Sequence, residues 1–221
     1  MDDLVIYGAG AVAQQAIQIV EDINRQRPTW NLLGMLDDAT NAQGTMVHGT
    51  LVLGGGEWLE ARSETFLCVA IGSSKTRWQV VKRLEQLPHI HFASLIHPTA
   101  QIASRCCLGQ GMLVYPGAIL DTDITIGDHV ILNKLCPIGH DTVIQGFVTL
   151  APGVNVGGAV HIGTGCEMGI NSATVHGITI GDWSIIGAGG VVVDDLAANV
   201  TAVGVPVRVI KQRQSGWHKE I

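Results

Sequence analysis

The sequence predicts a small α/β domain with a parallel sheet, followed by a parallel β-helix. Three observations carry this reading. Over residues 1–95, short apolar runs alternate with helical patterns. From Ile96 onward an aliphatic residue recurs at every sixth position. The composition, with 28 glycines and 5% aromatic residues, suits tight repeated turns around a narrow core.

The N-terminal elements follow in order. "LVIYG" (4–8) reads as a short buried strand. "AVAQQAIQIVEDINRQ" (11–26) carries Val12, Ala16, Ile19, Val20 and Ile23 at helical spacing. "LLGMLDD" (32–38) is a second strand ending in two acids, and "FLCVAIG" (66–72) a third. Ser73 or Ser74 then caps "KTRWQVVKRLEQL", a helix with Trp78, Val81 and Leu84 on one face. "HFASLI" (91–96) leads out. Strands alternating with helices imply a parallel sheet.

The second half obeys a six-residue rule. Taking every sixth residue from Ile96 to Val192 gives seventeen positions, of which sixteen are aliphatic and only Thr174 is not. Four residues after each stands a mostly small or β-branched residue, including Cys106, Cys136 and Cys166. Glycine often follows the aliphatic residue, as at Gly109, Gly139 and Gly181. Such a period predicts one flat face per hexapeptide and three faces per coil of 18 residues, with the aliphatic column pointing inward. Coils stacked at the strand spacing would give a prism roughly 25 Å tall. The predicted organisation is residues 1–95, 96–200 and a tail over 201–221.

Bulk properties exclude several classes. A net charge of −6 argues against a nucleic-acid binder. The start "MDDLVIYGAG" has no basic leader, and no apolar run is long enough to span a membrane. The five cysteines form no C-x-x-C pair and read as free thiols of a cytoplasmic protein.

One stretch of the repeat is chemically out of place. "CPIGHDTVIQG" (136–146) puts His140 and Asp141 where the fold asks only for turn residues. A carboxylate beside an imidazole makes it a stronger base, as deprotonation of an amine or hydroxyl requires. The 18-residue coil places His140, Gly158 and His176 on one edge, two coils from end to end. The bare glycine leaves room for a thin ligand.

At the other end, "GAGAVA" (8–13) follows a strand and opens a helix in the form G-x-G-x-x-A, which offers backbone N–H groups to phosphate. Asp37 and Asp38 close the second strand, where such folds meet a ribose or base.

With "GAG" (8–10), "LDD" (36–38), "VAIGSSKTR" (69–77), "LIHPTA" (95–100), "ILNKLCPIGHD" (131–141), "IGAGGVVVDDL" (186–196) and "GVPVRVIK" (204–211), nearly the whole chain resembles the NeuD/PglD type of hexapeptide-repeat sugar acetyltransferases. That type comprises sialic acid O-acetyltransferases and nucleotide-4-amino-sugar N-acetyltransferases. The resemblance implies a Rossmann-like first domain, a left-handed β-helix, acetyl-CoA as cosubstrate without a metal, and a homotrimer with active sites between prisms. It implies His140 as general base, Asp141 as the acid that tunes it, and Asn133 as a third catalytic residue. A nucleotide-sugar would sit at Gly8, Gly10, Ala11, Val12, Asp37, Asp38, Gly72 and Arg77. Acetyl-CoA would lie along one edge past Gly158, Ile170 and Ala188, with Thr149, Arg208 and Lys211 contributing. Val12 and Thr149 stand where many members carry histidine. N-acetylation of a nucleotide-linked amino sugar is the favoured reading, and O-acetylation of a sialic-acid-type sugar the alternative. Two histidines 36 residues apart, with Gly181 where a γ-class carbonic anhydrase has its third ligand, make a poor zinc site.

Overall fold

The computed structural model describes residues 1–220. Its first part is one sheet with strands β1 (Asp2–Tyr7), β2 (Trp30–Leu36), β3 (Met46–Val47), β4 (Thr50–Gly54), β5 (Thr65–Val69) and β6 (Ile90–Phe92), in the spatial order β3-β4-β2-β1-β5-β6. All neighbours are parallel except β3 and β4. Leu4, Val5, Ile6 and Tyr7 of the central β1 are buried, as a strand covered on both faces requires. Helix α1 (Ala11–Gln26) buries Ala13, Ala16, Ile17, Ile19 and Val20. Helix α2 (Ser74–Leu84) is capped by Ser73, whose side chain accepts from the Thr76 N–H at 3.3 Å.

The sequence reading missed β3 and β4 and the 3-10 turn over Gly56–Ala61 that follows them. They are short and glycine-rich, and Met46 and Leu51 form an exposed cross-strand pair. Without a buried alternating face they carry no period-two signal.

From Leu95 the chain winds into a prism of two-residue strands that pair at intervals of 18 residues. Face I stacks Leu95–Ile96, Leu113–Val114, Ile131–Leu132, Thr149–Leu150, Glu167–Met168 and Ile185–Ile186. Face II carries Gln101–Ile102, Ile119–Leu120, Pro137–Ile138, Ala173–Thr174 and Val191–Val192. Face III carries Cys107–Leu108, Thr125–Ile126, Val143–Ile144, His161–Ile162 and Thr179–Ile180. From Val114 to Val192 every residue of the aliphatic column is buried save Thr174, which is half-buried. Each fully buried aliphatic side chain contributes about 1.5–3 kcal/mol. Cys136 and Cys166 lie in the core; Cys106, nearer the open first coil, is half-buried.

From Gly111 to Gly189 every hexapeptide turns its corner through a residue in the left-handed region. Asp123, His129, Leu135, Asp141, Phe147, Ala159, Asn171 and Trp183 hold φ between +54° and +62°. Such a conformation costs a non-glycine residue roughly 1–2 kcal/mol, least for Asn and Asp. Large corner side chains lie over a glycine of the preceding coil: a Cβ on Gly165 would stand 2.3 Å from the Trp183 ring.

The α/β domain docks on face I. Leu95, Leu113, Tyr115 and Ile131 share one buried cluster with α1, and His97 Nε2 lies 3.2 Å from Asp22 Oδ2 of α1. Strands Val200–Gly204 and Val207–Gln212 extend face I as an antiparallel hairpin. The tail then folds back, so that His218 stacks on Trp183 and Gln79 of α2 donates to the His218 carbonyl.

Candidate active site

Two regions carry chemistry, one on each domain. The first is a pocket of about 380 Å³ over the carboxyl ends of β1, β2 and β5, lined by Tyr7, Gly8–Val12, Asp37, Asp38, Ala70–Gly72, Thr76 and Val80. Gly8, Gly10, Ala11, Val12, Asp37, Asp38 and Gly72 thus converge on one cavity. The N-terminus of α1 opens into it at Gly10, with no capping side chain and no acid in the first turn. An uncapped helix start with free N–H groups is a phosphate seat.

The two acids are already committed to the protein. Asp37 accepts from the Ala9 and Ala39 N–H groups, both at 2.9 Å. Asp38 accepts from the Tyr7 hydroxyl at 2.5 Å, the Gly56 N–H at 3.1 Å and Arg83 at 2.8 Å. Burial alone would raise the Asp38 pKa, but these donors outweigh it and hold the carboxyl below its usual range. Tyr7, Ala9 and Thr76 of the pocket went unnoticed in the sequence. Tyr7 had a findable signal, since it ends β1 immediately before the glycine turn.

The second region is the edge between faces II and III. There Thr122, His140, Gly158 and His176 stack in register, tied by the Asp141 N–H to Thr122 O (3.1 Å), Ala159 N–H to His140 O (2.7 Å) and Gly177 N–H to Gly158 O (2.9 Å). The left-handed backbone of Asp141, at φ 58°, turns its carboxylate onto its neighbour. His140 Nδ1 and Asp141 Oδ2 stand 2.7 Å apart. That contact keeps the proton on Nδ1 and leaves Nε2 as the acceptor. The Asp141 hydrogen bond, with the charges of Asp141 and Asp121, holds the His140 pKa above the ordinary imidazole value. The ring lies over Gly158, where an added Cβ would be 2.7 Å from Nε2.

Three expectations are corrected. Arg77 does not face the pocket: it is 0% exposed, and its donors are spent on protein acceptors. Ile170 and Ala188 do not share an edge with Gly158. They stack with Lys134 and Pro152 on the edge between faces I and II, because twelve residues separate Gly158 from Ile170 and a coil takes 18. The Thr149 hydroxyl donates to Gly72 O at 3.0 Å and accepts from Arg77 at 2.9 Å, so its one proton is spent on the pocket rim and not on a ligand.

Asn133 is half-buried on the same edge as Ile170, and its Oδ1 accepts from the Lys134 N–H at 2.9 Å. It stacks one coil beyond Tyr115, whose hydroxyl donates to Val12 O in the pocket wall at 3.4 Å. Asn133 is therefore on the pocket side of the prism, while His140 occupies the corner opposite face I. Arg208 and Lys211 lie exposed on the C-terminal hairpin. Among the described residues no group of three His, Cys, Asp or Glu side chains is placed to hold a metal, and no helix is long and apolar enough to cross a membrane.

A parallel prism of hexapeptides with a His-Asp pair on one edge, joined to a phosphate-type pocket, matches known proteins along its whole length. Residues 3–84 match the family model of the PglD N-terminal domain. GDP-perosamine N-acetyltransferase from Escherichia coli O157:H7 is 28% identical over 215 residues, spanning 94% of this chain and 96% of that one. The structure of PerB from Caulobacter crescentus in complex with CoA and GDP-perosamine superposes with a TM-score of 0.85 at 29% identity, covering 96% of this chain and 98% of that one. The acetyltransferase domain of PglB from Neisseria gonorrhoeae FA1090 does so with a TM-score of 0.87 at 26% identity, covering 95% and 100%. Fold and likeness together define an acyltransferase with a Rossmann-like first domain and a left-handed β-helix. Along nearly its whole length the chain is similar to sugar acetyltransferases of the NeuD/PglD type.

Proposed function

We propose that this enzyme transfers the acetyl group of acetyl-CoA to the amino nitrogen of a nucleotide-linked amino sugar, with His140 as general base. The observation that carries the reading is the His140–Asp141 contact at 2.7 Å with Nε2 left free, on the same chain as a pocket opened by a bare helix start. The relatives agree: one is a GDP-perosamine N-acetyltransferase, and PerB holds CoA and GDP-perosamine together.

The chemistry needs nothing beyond these groups. His140 Nε2 takes a proton from the amine as its nitrogen attacks the thioester carbonyl. The C–N bond forms, the C–S bond breaks, and the imidazolium returns the proton to the departing thiolate. Asp141 stabilises the imidazolium through Nδ1 and fixes the ring. Transfer is direct in a ternary complex. Cys136 and Cys166 point into the core, where burial raises their thiols to about 11 and about 12, far from a nucleophile's range.

The active site is completed by a second copy in a homotrimer. Face I is occupied by the chain's own α/β domain, which leaves that chain's pocket and its His140 on different sides of the prism. Face II lies between the Asn133 edge and the His140 edge. Its outward residues, Gln101, Ile119, Pro137, Asn155, Ala173 and Val191, carry no charge, and Ile119 is 43% exposed. Prisms packed around a threefold axis, each with face II turned towards the axis, bring the Asn133 edge of one copy beside the His140 edge of the next. Ile170 and Ala188 then face Gly158 across the seam, which restores the acetyl-CoA groove in two halves.

The test is the product. Acetyl-CoA is incubated with GDP-, UDP- and dTDP-linked 4-amino sugars, and the acetylated product is treated with hydroxylamine. An acetamide survives; an O-acetyl ester is cleaved and would establish O-acetylation instead.

A further inference from the structure

Arg77 is the most deeply buried charge in the chain. Nε donates to His129 O at 2.9 Å. Nη1 donates to Ile71 O at 2.6 Å and Gly72 O at 3.2 Å. Nη2 donates to Phe147 O at 2.8 Å, Val148 O at 3.3 Å and Thr149 Oγ1 at 2.9 Å. Among the described residues no carboxylate bonds it; Glu167 balances the charge from nearby while its Oε1 accepts the Ser74 N–H at 2.7 Å. Burial pulls the guanidinium down to about 10, which leaves it charged at neutral pH. A buried cation costs several kcal/mol unless every donor is satisfied, and a flat five-donor fork is the side chain that can satisfy them here.

The acceptors divide into two sets. Ile71 and Gly72 form the pocket rim nearest the prism. His129, Phe147, Val148 and Thr149 belong to two successive coils, the second reached within nine residues of His140. The opposite side of the same rim is held too: Val12 lies against Gly72, where an added Cβ would be 3.2 Å from Val12 Cγ2, and Val12 O accepts from Tyr115. The rim is therefore clamped to the prism twice, by Arg77 of α2 and by Tyr115 of the prism acting on Val12 of α1. Asp37 and Asp38 mark the far end of the pocket and Gly10 its phosphate seat, so this rim faces the sugar.

We propose that Arg77 is a positioning residue that fixes the sugar end of the nucleotide pocket to the prism, through the carbonyls of Ile71 and Gly72 and the hydroxyl of Thr149. The claim rests on the nucleotide-sugar reading above for the identity of what the rim holds. It assigns Arg77 no contact with substrate.

Two variants test it: Arg77→Lys, which keeps the charge and loses the fork, and Thr149→Val, which removes only the bridging hydroxyl and keeps the shape. Amide hydrogen exchange is read at residues 9–12 and 70–74 and, as a control, along face III. Thiol release is read with each substrate varied in turn at a saturating concentration of the other. Expected is exchange at least about tenfold faster at the rim alone, with the nucleotide-sugar KM raised about tenfold or more and the acetyl-CoA KM within about twofold, the scale of one lost charge-assisted hydrogen bond. Thr149→Val should move both readouts in the same direction by less. Faster exchange throughout the chain, an unchanged rim, or a loosened rim with an unchanged sugar KM each overturns the proposal. If Arg77→Lys does not fold, Thr149→Val decides alone by the same criteria. Should wild-type enzyme release no thiol with any nucleotide-amino-sugar, the nucleotide-sugar reading fails while the exchange comparison still decides whether Arg77 holds the rim.

Discussion

The imidazole of His140 rests on the bare Cα of Gly158, so closely that a single methyl there would stand 2.7 Å from Nε2. The ring is held from two directions, by the Asp141 carboxylate on Nδ1 and by the coil beneath it. Gly158 lies outside the positive-φ residues, so alanine is permitted by the backbone and excluded only by the ring. Gly158→Ala should keep its melting temperature to within a few degrees and lose about a hundredfold in kcat, the cost of displacing a reacting group by about 1 Å. Full activity in this variant would show that the ring position is not critical.

With His140 as the proposed base, Asp141 is expected to set the pH at which it works. The base acts when neutral, so kcat/KM rises with pH through the His140 pKa, which Asp141 holds above the ordinary imidazole value. Asn tolerates the same left-handed corner. In Asp141→Asn the ascending limb should shift to lower pH, and the plateau should fall about tenfold to a hundredfold because the conjugate base is weaker. A pH-rate profile of both enzymes checks this; a limb that stays in place would sever Asp141 from the base.

His129 makes the domain junction sensitive to acid. Its ring is stacked on Phe147 and edged by Phe92, Nδ1 is buried without a partner, and burial pushes its pKa down to about 4. The unfolded chain, near 6.5, binds that proton more readily. The stability from His129 is therefore complete above about pH 6.5 and falls away towards pH 4, by up to about 3 kcal/mol. Melting temperatures of wild type should drop across this window more steeply than those of His129→Asn, which starts lower and suits the φ of 57° at that corner. Parallel curves would contradict the assignment.

Sites shared between copies should complement. Asn133→Ala and His140→Ala proteins, each inactive alone, should regain about a quarter of wild-type activity when unfolded together, mixed in equal amounts and refolded as trimers, because one seam in four pairs an intact His140 edge with an intact Asn133 edge. Ile119→Arg should disrupt face II packing, which sedimentation would register as monomers. Activity that follows each chain independently of mixing would place both residues of a site on one copy.

Much of this was legible in the chain. The six-residue column gave the prism and its interior from Val114 to Val192, since a narrow core tolerates only aliphatic side chains there. Counting in eighteens placed His140 over Gly158. The same count separates Gly158 from Ile170, so the acetyl-CoA edge expected from resemblance fails by arithmetic already available in the sequence. Arg77 was not legible. On a helix it reads as a solvated or ligand-binding cation, and only the meeting of α2 with two coils reveals carbonyls enough to bury it. The β3–β4 hairpin escaped because its exposed Met46 and Leu51 break the alternation by which a strand is recognised.

The central claim is that His140 deprotonates a nucleotide-linked amino sugar for attack on acetyl-CoA. The most direct measurement is thiol release from acetyl-CoA with UDP-, dTDP- and GDP-linked amino sugars, wild type beside His140→Ala. The account predicts release with at least one of these sugars and a loss of at least about a hundredfold in the variant, as removal of a general base requires. No release with any of them, or a variant that keeps the full rate, would contradict it.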